Sequence, residues 1–303
     1  MSQPVFSAAL NRALLSLDGL AIGDALGEML SYRCDQAARI IQEDAMVGGP
    51  WFHTDDTEMA IAVVETLRLA GAIDQDTLAF YFARRFDADP DRGYGKMTRM
   101  QLRSVLEGTP WRTASSSAFS GRGSMGNGSA MRVAPLGAYF ADDLLRVCKE
   151  ARLSSEVTHM HPEGIAGTVA IAVAAASVWQ TRGRDAEERW QKIFQAVINH
   201  TPPGEVQAGL HKAVGLSGAS VEEAARTLGC GALITAQDSV PFAVWCAVSC
   251  LDDFPGALSA AISGGGDCDT IAAMAGGIVA LNVGHEGIPE RWLRERERLP
   301  FDR

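Results

Sequence analysis

The sequence predicts an all-α protein, a compact orthogonal bundle of helices, and three observations carry that expectation. Strand signals are sparse: few runs alternate β-branched and polar residues, and Asn-Gly or Asp-Gly hairpin turns are almost absent. Apolar residues recur instead at helical spacing. Three segments, 165–179, 240–251 and 271–283, are apolar on every side, as helices shielded inside a bundle are. They are built mostly from Ala, Gly, Val and Ile, whose small side chains let helix axes approach closely. No internal repeat or low-complexity linker interrupts the chain, so residues 1–303 are read as one domain.

Taken in order, the first patterned segment runs from Gly19 to Glu28. Its glycines Gly23 and Gly27 suit a closely packed helix, with Asp24 free to cap a neighbour. It is not a dinucleotide fingerprint, because no strand precedes it. Met59, Ala60, Val63, Val64 and Leu67 then repeat at helical spacing, and Gly71 closes that helix. Leu78, Phe82 and Phe86 continue the pattern, as do Leu144, Val147, Cys148 and Ala151 later. Residues 87–95 and 113–128 read as the two long loops, a length usually reserved for function or disorder.

Composition narrows the partners. Apolar residues make up 47% of the chain, enough for a large core, and the formal charge is −10. No basic run or stripe is present, so neither nucleic acid nor an anionic membrane is expected as a partner. None of the six cysteines forms a C-x-x-C or zinc-finger spacing, which suggests free buried thiols in a reducing compartment. Met1-Ser2-Gln3-Pro4 does not open a signal peptide, and the longest uncharged run, 164–180, is short for a membrane span. A soluble, cytoplasmic protein is expected.

Chemistry concentrates in two segments, Thr54-Asp55-Asp56-Thr57 and Gly264-Gly265-Gly266-Asp267-Cys268-Asp269-Thr270, each opening an apolar helix. Together they offer four carboxylates and two hydroxyls, an all-oxygen set suited to Mg²⁺, Mn²⁺ or Ca²⁺ and poorly suited to zinc. Asp and Thr are also favoured helix caps, and Asp55 with Glu58 fits a capping-box spacing. One cap needs one oxygen, however, and each segment supplies at least three. Four aspartates brought together would protonate or spring apart unless cations balanced them, and two divalent ions do so. In Asp267-x-Asp269 an extended backbone directs both carboxylates to one side. The preceding glycines allow close approach to a ligand, and a helix starting near Thr270 adds N–H donors for an anion.

Three other segments are less decisive. Residues 120–132 are dense in glycine and expose backbone N–H groups that suit phosphate, although a flexible turn has the same composition and the P-loop ending is missing. Thr158-His159-Met160-His161 has chelating spacing but no third nitrogen or sulfur ligand nearby. His159 fits better as a hydrogen-bonding residue beside a ligand, or as a core histidine. Asp87-Ala88-Asp89-Pro90-Asp91 mimics the start of an EF-hand and fails at position six, Arg92, and position twelve, Thr98.

Together these pieces resemble the ADP-ribosylglycohydrolase family. The matching segments are Gly23-Asp24-Ala25-Leu26-Gly27, Thr54-Asp55-Asp56-Thr57, Gly126-Asn127-Gly128-Ser129-Ala130-Met131-Arg132, Thr158-His159 and Gly266-Asp267-Cys268-Asp269-Thr270, in family order across almost the whole chain. The resemblance implies an all-helical fold with two Mg²⁺ or Mn²⁺ ions, held by Thr54, Asp55, Asp56, Asp267, Asp269 and Thr270. It implies that Gly123, Ser124, Gly126, Asn127 and Gly128 hold the diphosphate and distal ribose of ADP-ribose. It places Phe119 as an adenine-stacking ring and His159 near the ribose or phosphate.

One departure stands out. Many family members carry a glutamate four residues beyond the glycine matching Gly27, where this chain has Ser31. Glu28, directly after Gly27, is expected to take over that metal-facing role. Cys268 occupies a slot often held by Thr or Arg. The implied reaction is hydrolysis of the N-glycosidic bond at C1″ of ADP-ribosyl-arginine on a protein, releasing ADP-ribose. Asp55, Asp56 or Glu28 would manage the proton. The acidic residues 87–91 either receive the cationic acceptor or form a solvated turn. The competing expectations are another linkage (serine O-linked or a small-molecule conjugate), an immunity protein that binds a toxin partner, and a catalytically dead ADP-ribose binder.

Overall fold

The computed structural model describes residues 7–302. Met1–Pro4, read above as lacking a signal peptide, lie outside the described residues. The chain is helical throughout, and among the described residues the only extended pairings are isolated bridges, Trp51 with Arg296 and Gly126 with Thr235. The first half of the chain builds α1 (Ala8–Leu30), α2 (Ala37–Gln42), α3 (Asp55–Ala70), α4 (Gln75–Ala88), α5 (Lys96–Leu106), α6 (Trp111–Gly121), α7 (Ala134–Tyr139) and α8 (Leu144–Glu156). The second half builds α9 (Pro162–Thr181), α10 (Ala186–His200), α11 (Glu205–Val214), α12 (Val221–Leu228), α13 (Ala236–Ser249), α14 (Phe254–Ser263), α15 (Cys268–Val283) and α16 (Glu290–Glu295).

The three segments apolar on every side become α9, α13 and α15, and they form the centre. α9 is walled by α7, α8, α10, α13 and α15. Helix α9 outruns the uncharged stretch seen in the sequence: its 20 residues are long and apolar enough to cross a membrane, yet 89% of its apolar window is buried inside the protein. Its apolarity therefore serves the core.

The most extensive helix pair is α1 with α15, partners that lie at opposite ends of the sequence. Gly19, Gly23 and Gly27 recur every four residues along one face of α1. A Cβ at Gly19 would overlap the Gly276 carbonyl, one at Gly23 the Ala272 carbonyl, and one at Gly27 the backbone of Cys268 and Asp269. Only glycine lets the two backbones touch in this way. Ser16, on the same helix, donates from Oγ to the Gly277 carbonyl at 2.7 Å and ties the buried seam.

Helix boundaries differ from the sequence reading in three places. Residues 113–117 are helical as part of α6, because Trp111, Ala114, Ser115 and Ala118 supply a buried face that overrides the loop-like serine run, and the chain leaves helical geometry at Ala118, Phe119 and Ser120. The loop expected over 87–95 is shorter, since α4 continues to Ala88. α15 begins at Cys268 with Asp267 as its cap residue, so Asp269 sits in the first turn and the extended Asp-x-Asp backbone is not formed.

The seam makes a direct prediction. Gly23→Ala should destabilise the fold by about 1–3 kcal/mol, the usual cost of overpacking. Gly48→Ala, at a position with nothing within 4 Å, should be near neutral. Urea midpoints of the two variants provide the comparison.

Candidate active site

Three helix ends converge on one point: the last third of α1, which carries Asp24, and the N-termini of α3 and α15. Each of Asp24, Asp56 and Asp269 brings a carboxylate oxygen to within 4.8 Å of the others, a grouping able to hold a metal ion. Asp55 and Asp267 lie close enough for their charges to act on the same group.

The N-terminus of α3 is capped in an unusual way. Thr54 occupies the cap position, yet its hydroxyl bonds no α3 amide. Asp24 does that work from α1: its carboxylate accepts from the Thr54 and Thr57 amides at 3.0 Å and from the Thr54 and Thr57 hydroxyls at 2.8 and 2.6 Å. The capping box anticipated for Asp55 and Glu58 is not made. Glu58 pairs instead with His53 at 3.1 Å and Arg85 at 2.7 Å. Although burial opposes it, those hydrogen bonds hold the Glu58 carboxyl down at about 2.

The remaining carboxylates are pushed the other way. Burial, followed by the charges of Asp24 and Asp269, raises Asp55 and Asp56 well above the usual carboxylate range. Burial and then Asp269 bring Asp24 up to about 6. The same two causes lift Asp267 to about 7, even though Asn127 donates to it at 2.6 Å. Asp56 Oδ1 is buried without a hydrogen-bond partner. Crowded, buried anions with an orphaned oxygen lack positive charge, which a cation supplies.

Beside the carboxylates opens a pocket of about 550 Å³. Asp55, Asp56, Asp267, Asp269 and Thr270 form its acidic wall. The glycine-rich stretch faces them, with Gly123, Ser124, Gly126, Asn127 and Gly128 all in the lining. Phe119 and His159 line it as well. Phe119 stands at the end of α6 with φ +51°, the residue 47% exposed. Asn127 is committed to Asp267 and to Ser239 Oγ at 2.9 Å, so its amide braces the acidic wall.

Two expected site residues sit apart from this lining. Thr54 is buried behind it, its hydroxyl against Asp24 and Asp56. Glu28 is exposed near the C-terminal end of α1; burial and then the charge of Asp269 raise its pKa.

Other lining residues escaped the sequence reading. Lys96, Met97 and Thr98 open α5, and Leu233, Ile234 and Thr235 precede α13; none belongs to a recognisable motif. Asp24 carried a visible signal, the Gly-x-x-x-Gly-Asp pattern, which pointed to a cap and did not reveal the carboxylate cluster. The acidic residues 87–91 are absent from the lining: Asp89 pairs with Arg92 at 2.9 Å and Asp91 with Arg99 at 3.7 Å. A wider cleft of about 720 Å³ lies against the N-terminal half of α1, and no carboxylate cluster converges on it among the described residues.

Residues 7–302 match the ADP-ribosylglycohydrolase family along their whole length. The chain belongs to the ADP-ribosylglycohydrolase family. Among relatives of this glycohydrolase, ADP-ribosylhydrolase ARH3 of Homo sapiens is 35% identical over 282 residues, covering 81% of this chain and 75% of the relative. The ADP-ribosyl-[dinitrogen reductase] glycohydrolase of Rhodospirillum rubrum is 28% identical, covering 93% and 89%. A solved structure titled ADP-ribosylglycohydrolase-related protein complex superposes with a TM-score of 0.66 at 22% identity, covering 95% of this chain and 93% of that one, and shares the fold.

The raised carboxyls set a pH dependence. A carboxyl whose folded pKa exceeds its unfolded value binds more protons folded than unfolded, so its contribution to stability falls as pH rises between the two. In metal-free glycohydrolase, Asp24 and Asp267 place that loss between about pH 4 and pH 7. Asp55→Asn removes one anion, so it should exceed the metal-free parent in thermal stability at pH 7 and lose that advantage at pH 4. Thermal melts in EDTA at the two pH values read the difference.

Proposed function

We propose that this glycohydrolase uses two Mg²⁺ or Mn²⁺ ions to release ADP-ribose from modified arginine side chains of proteins, by hydrolysis at C1″. The observation carrying this reading is the convergence of buried carboxylates from α1, α3 and α15 beside a glycine-lined pocket. The donor set suits such ions: it is all oxygen, crowded, and includes the unpartnered Asp56 Oδ1. Thr54, Asp55, Asp56, Asp267, Asp269 and Thr270 would hold the pair. Bound there, the ions would supply the positive charge that acidifies a water and polarises the ribose hydroxyls.

The chain's own residues do the rest. Gly123, Ser124, Gly126 and Gly128 lie opposite the acidic wall and would seat the diphosphate, which fixes C1″ relative to the nucleophile. Phe119 presents its ring at the pocket edge, where a purine would stack. Asp55 and Asp56, in the acidic wall of the pocket, can take the proton of the attacking water and return one to the leaving group. Glu28 is the third candidate for that role, because it feels the charge of Asp269. The six free thiols support a reducing, cytoplasmic setting.

A second reading, cleavage of a hydroxyl-linked ADP-ribose such as that on serine, has its own support. The pocket lining carries Lys96, while Asp89 and Asp91, expected to welcome an arginine, are outside the lining and paired with Arg92 and Arg99. A lysine there disfavours a cationic acceptor.

A linkage panel decides between the readings. Peptides carrying ADP-ribose on arginine or on serine should release it with Mg²⁺ or Mn²⁺ and not in EDTA. The peptide turned over faster names the acceptor, and failure of both sinks the proposal. Asp269→Ala should abolish metal binding by calorimetry together with turnover. Glu28→Gln should slow turnover by roughly 10²-fold if Glu28 moves the proton, and an unchanged rate leaves the role to Asp55 and Asp56.

A further inference from the structure

Among the described residues Arg132 is the largest fully buried side chain, and no carboxylate forms an ion pair with it. Its guanidinium lies 4.3 Å from the centre of the Phe82 ring. Nη1 donates to the Gly128 carbonyl at 3.2 Å, and Nη2 donates to the Ser154 carbonyl at 3.0 Å and to Thr158 Oγ1 at 2.9 Å. Burial brings its pKa down to about 9, which leaves it protonated at neutral pH. A buried cation with no ion-pair partner, only the charge of Asp55 acting on it from beyond ion-pair distance, is expensive, and this one is spent on two elements that border the pocket: the glycine-rich stretch at Gly128 and the Thr158–His159 turn.

The hydrogen count at Thr158 then decides the state of His159. A threonine hydroxyl has one proton to give. Thr158 Oγ1 already accepts from Arg132, and its one other partner is His159 Nδ1, at 2.7 Å. Oγ1 has a second lone pair that could accept from Nδ1–H, but its own buried proton would then have no acceptor among the described residues, so that proton points to Nδ1, which acts as acceptor. A neutral imidazole accepting at Nδ1 carries its proton on Nε2. Burial, then the Arg132 charge, depresses His159 to about 3, so the ring stays neutral across the physiological range. Nε2 has no protein partner among the described residues. It lies 3.2 Å from where a Cβ would stand at Gly126 and at Gly128, in the wall of the pocket. Ser155 clamps the turn from behind, accepting from the His159 amide through its carbonyl at 2.7 Å and donating from Oγ to the His159 carbonyl at 3.0 Å.

We infer that Arg132 and Thr158 are positioning residues that fix His159 in one tautomer, as an Nε2–H donor aimed at an oxygen of the bound nucleotide. The choice of ligand rests on the function proposed above; the tautomer does not. A donor locked in this way recognises an acceptor such as a phosphate or ribose oxygen. It cannot serve as a general base, since its one basic nitrogen is held by Thr158.

Thr158→Val and Thr158→Ser test the relay as a pair, the first removing the hydroxyl with little change of shape and the second keeping it. Long-range ¹H–¹⁵N spectra of histidine-labelled protein should show an Nε2–H tautomer for His159, unchanged between pH 5 and pH 8. Thr158→Ser should retain that signature and Thr158→Val should lose it. ADP-ribose affinity by calorimetry should fall about tenfold in Thr158→Val and recover in Thr158→Ser, as for loss of one hydrogen bond to an anion. An Nδ1–H tautomer in the parent protein, or identical tautomer and affinity in the two variants, overturns the inference. The expected tautomer pattern with no ADP-ribose binding by the parent leaves the relay standing and removes the nucleotide reading.

Discussion

Backbone contact between α1 and α15 is the constraint on which the site depends. Where Gly19, Gly23 and Gly27 face the first turns and middle of α15, no side chain separates the two helices. Asp24 of α1 and Asp269 of α15 can then share a cluster with Asp56. A wider separation would leave each carboxylate in its own hydration shell. The same approach lets Asp24 serve two neighbours, accepting the first amides of α3 while adding its charge to the acidic group. Capping and crowding are thus a single arrangement seen from two helices.

That arrangement places repulsive charge at the heart of a fold otherwise rich in apolar burial. Around it runs an outer layer of opposite pairs. His53 contacts Glu58 and Glu297, Arg85 pairs with Glu58 and Glu65, and Arg92 grips both oxygens of Glu297 at 2.6 and 2.7 Å. Arg92 also holds the His53 carbonyl at 2.9 Å. These contacts anchor the turn leading into Asp55 and Asp56 to the C-terminal stretch after α16. Mutual repulsion therefore acts against a framework fixed on both sides, and the carboxylates shift their protonation in place of moving apart. Sites prepared for cations have this balance of local strain and surrounding rigidity.

Much of the fold was legible because it depends on local pattern. The helices around Met59–Leu67 and the three apolar segments declare themselves through periodicity, and Gly71 closes α3 in a left-handed turn at φ +67°. The two Asp-rich segments were visible because their oxygens exceed what caps require. What escaped was set by distant partners. Glu58 looked like a cap residue until His53 and Arg85 claimed it. The Ser115–Ser117 run looked like a loop, yet Trp111 and Ala118 bury one side of it as helix. Asp24 was seen as a cap, which it is, while its place among the carboxylates arises only from the α1–α15 seam. Lys96 and Ile234 reach the pocket through the packing of α5 and α13, and sequence spacing carries no trace of that.

The seam also has a consequence for how the protein is made. Ser16 and Gly277, which meet across it, are 261 residues apart in the chain. A ribosome adds about 5–20 residues each second and delivers segments in order from the N-terminus. The glycine face of α1 must therefore wait, unpaired, until the ribosome has added α15. Asp24 and the Thr54 turn emerge well before Asp267 and Asp269. A nascent chain that stops short of α15 has only part of its acidic cluster, and the full complement of carboxylates comes together once α15 has been made. Assembly of the centre becomes a report that α15 has been made.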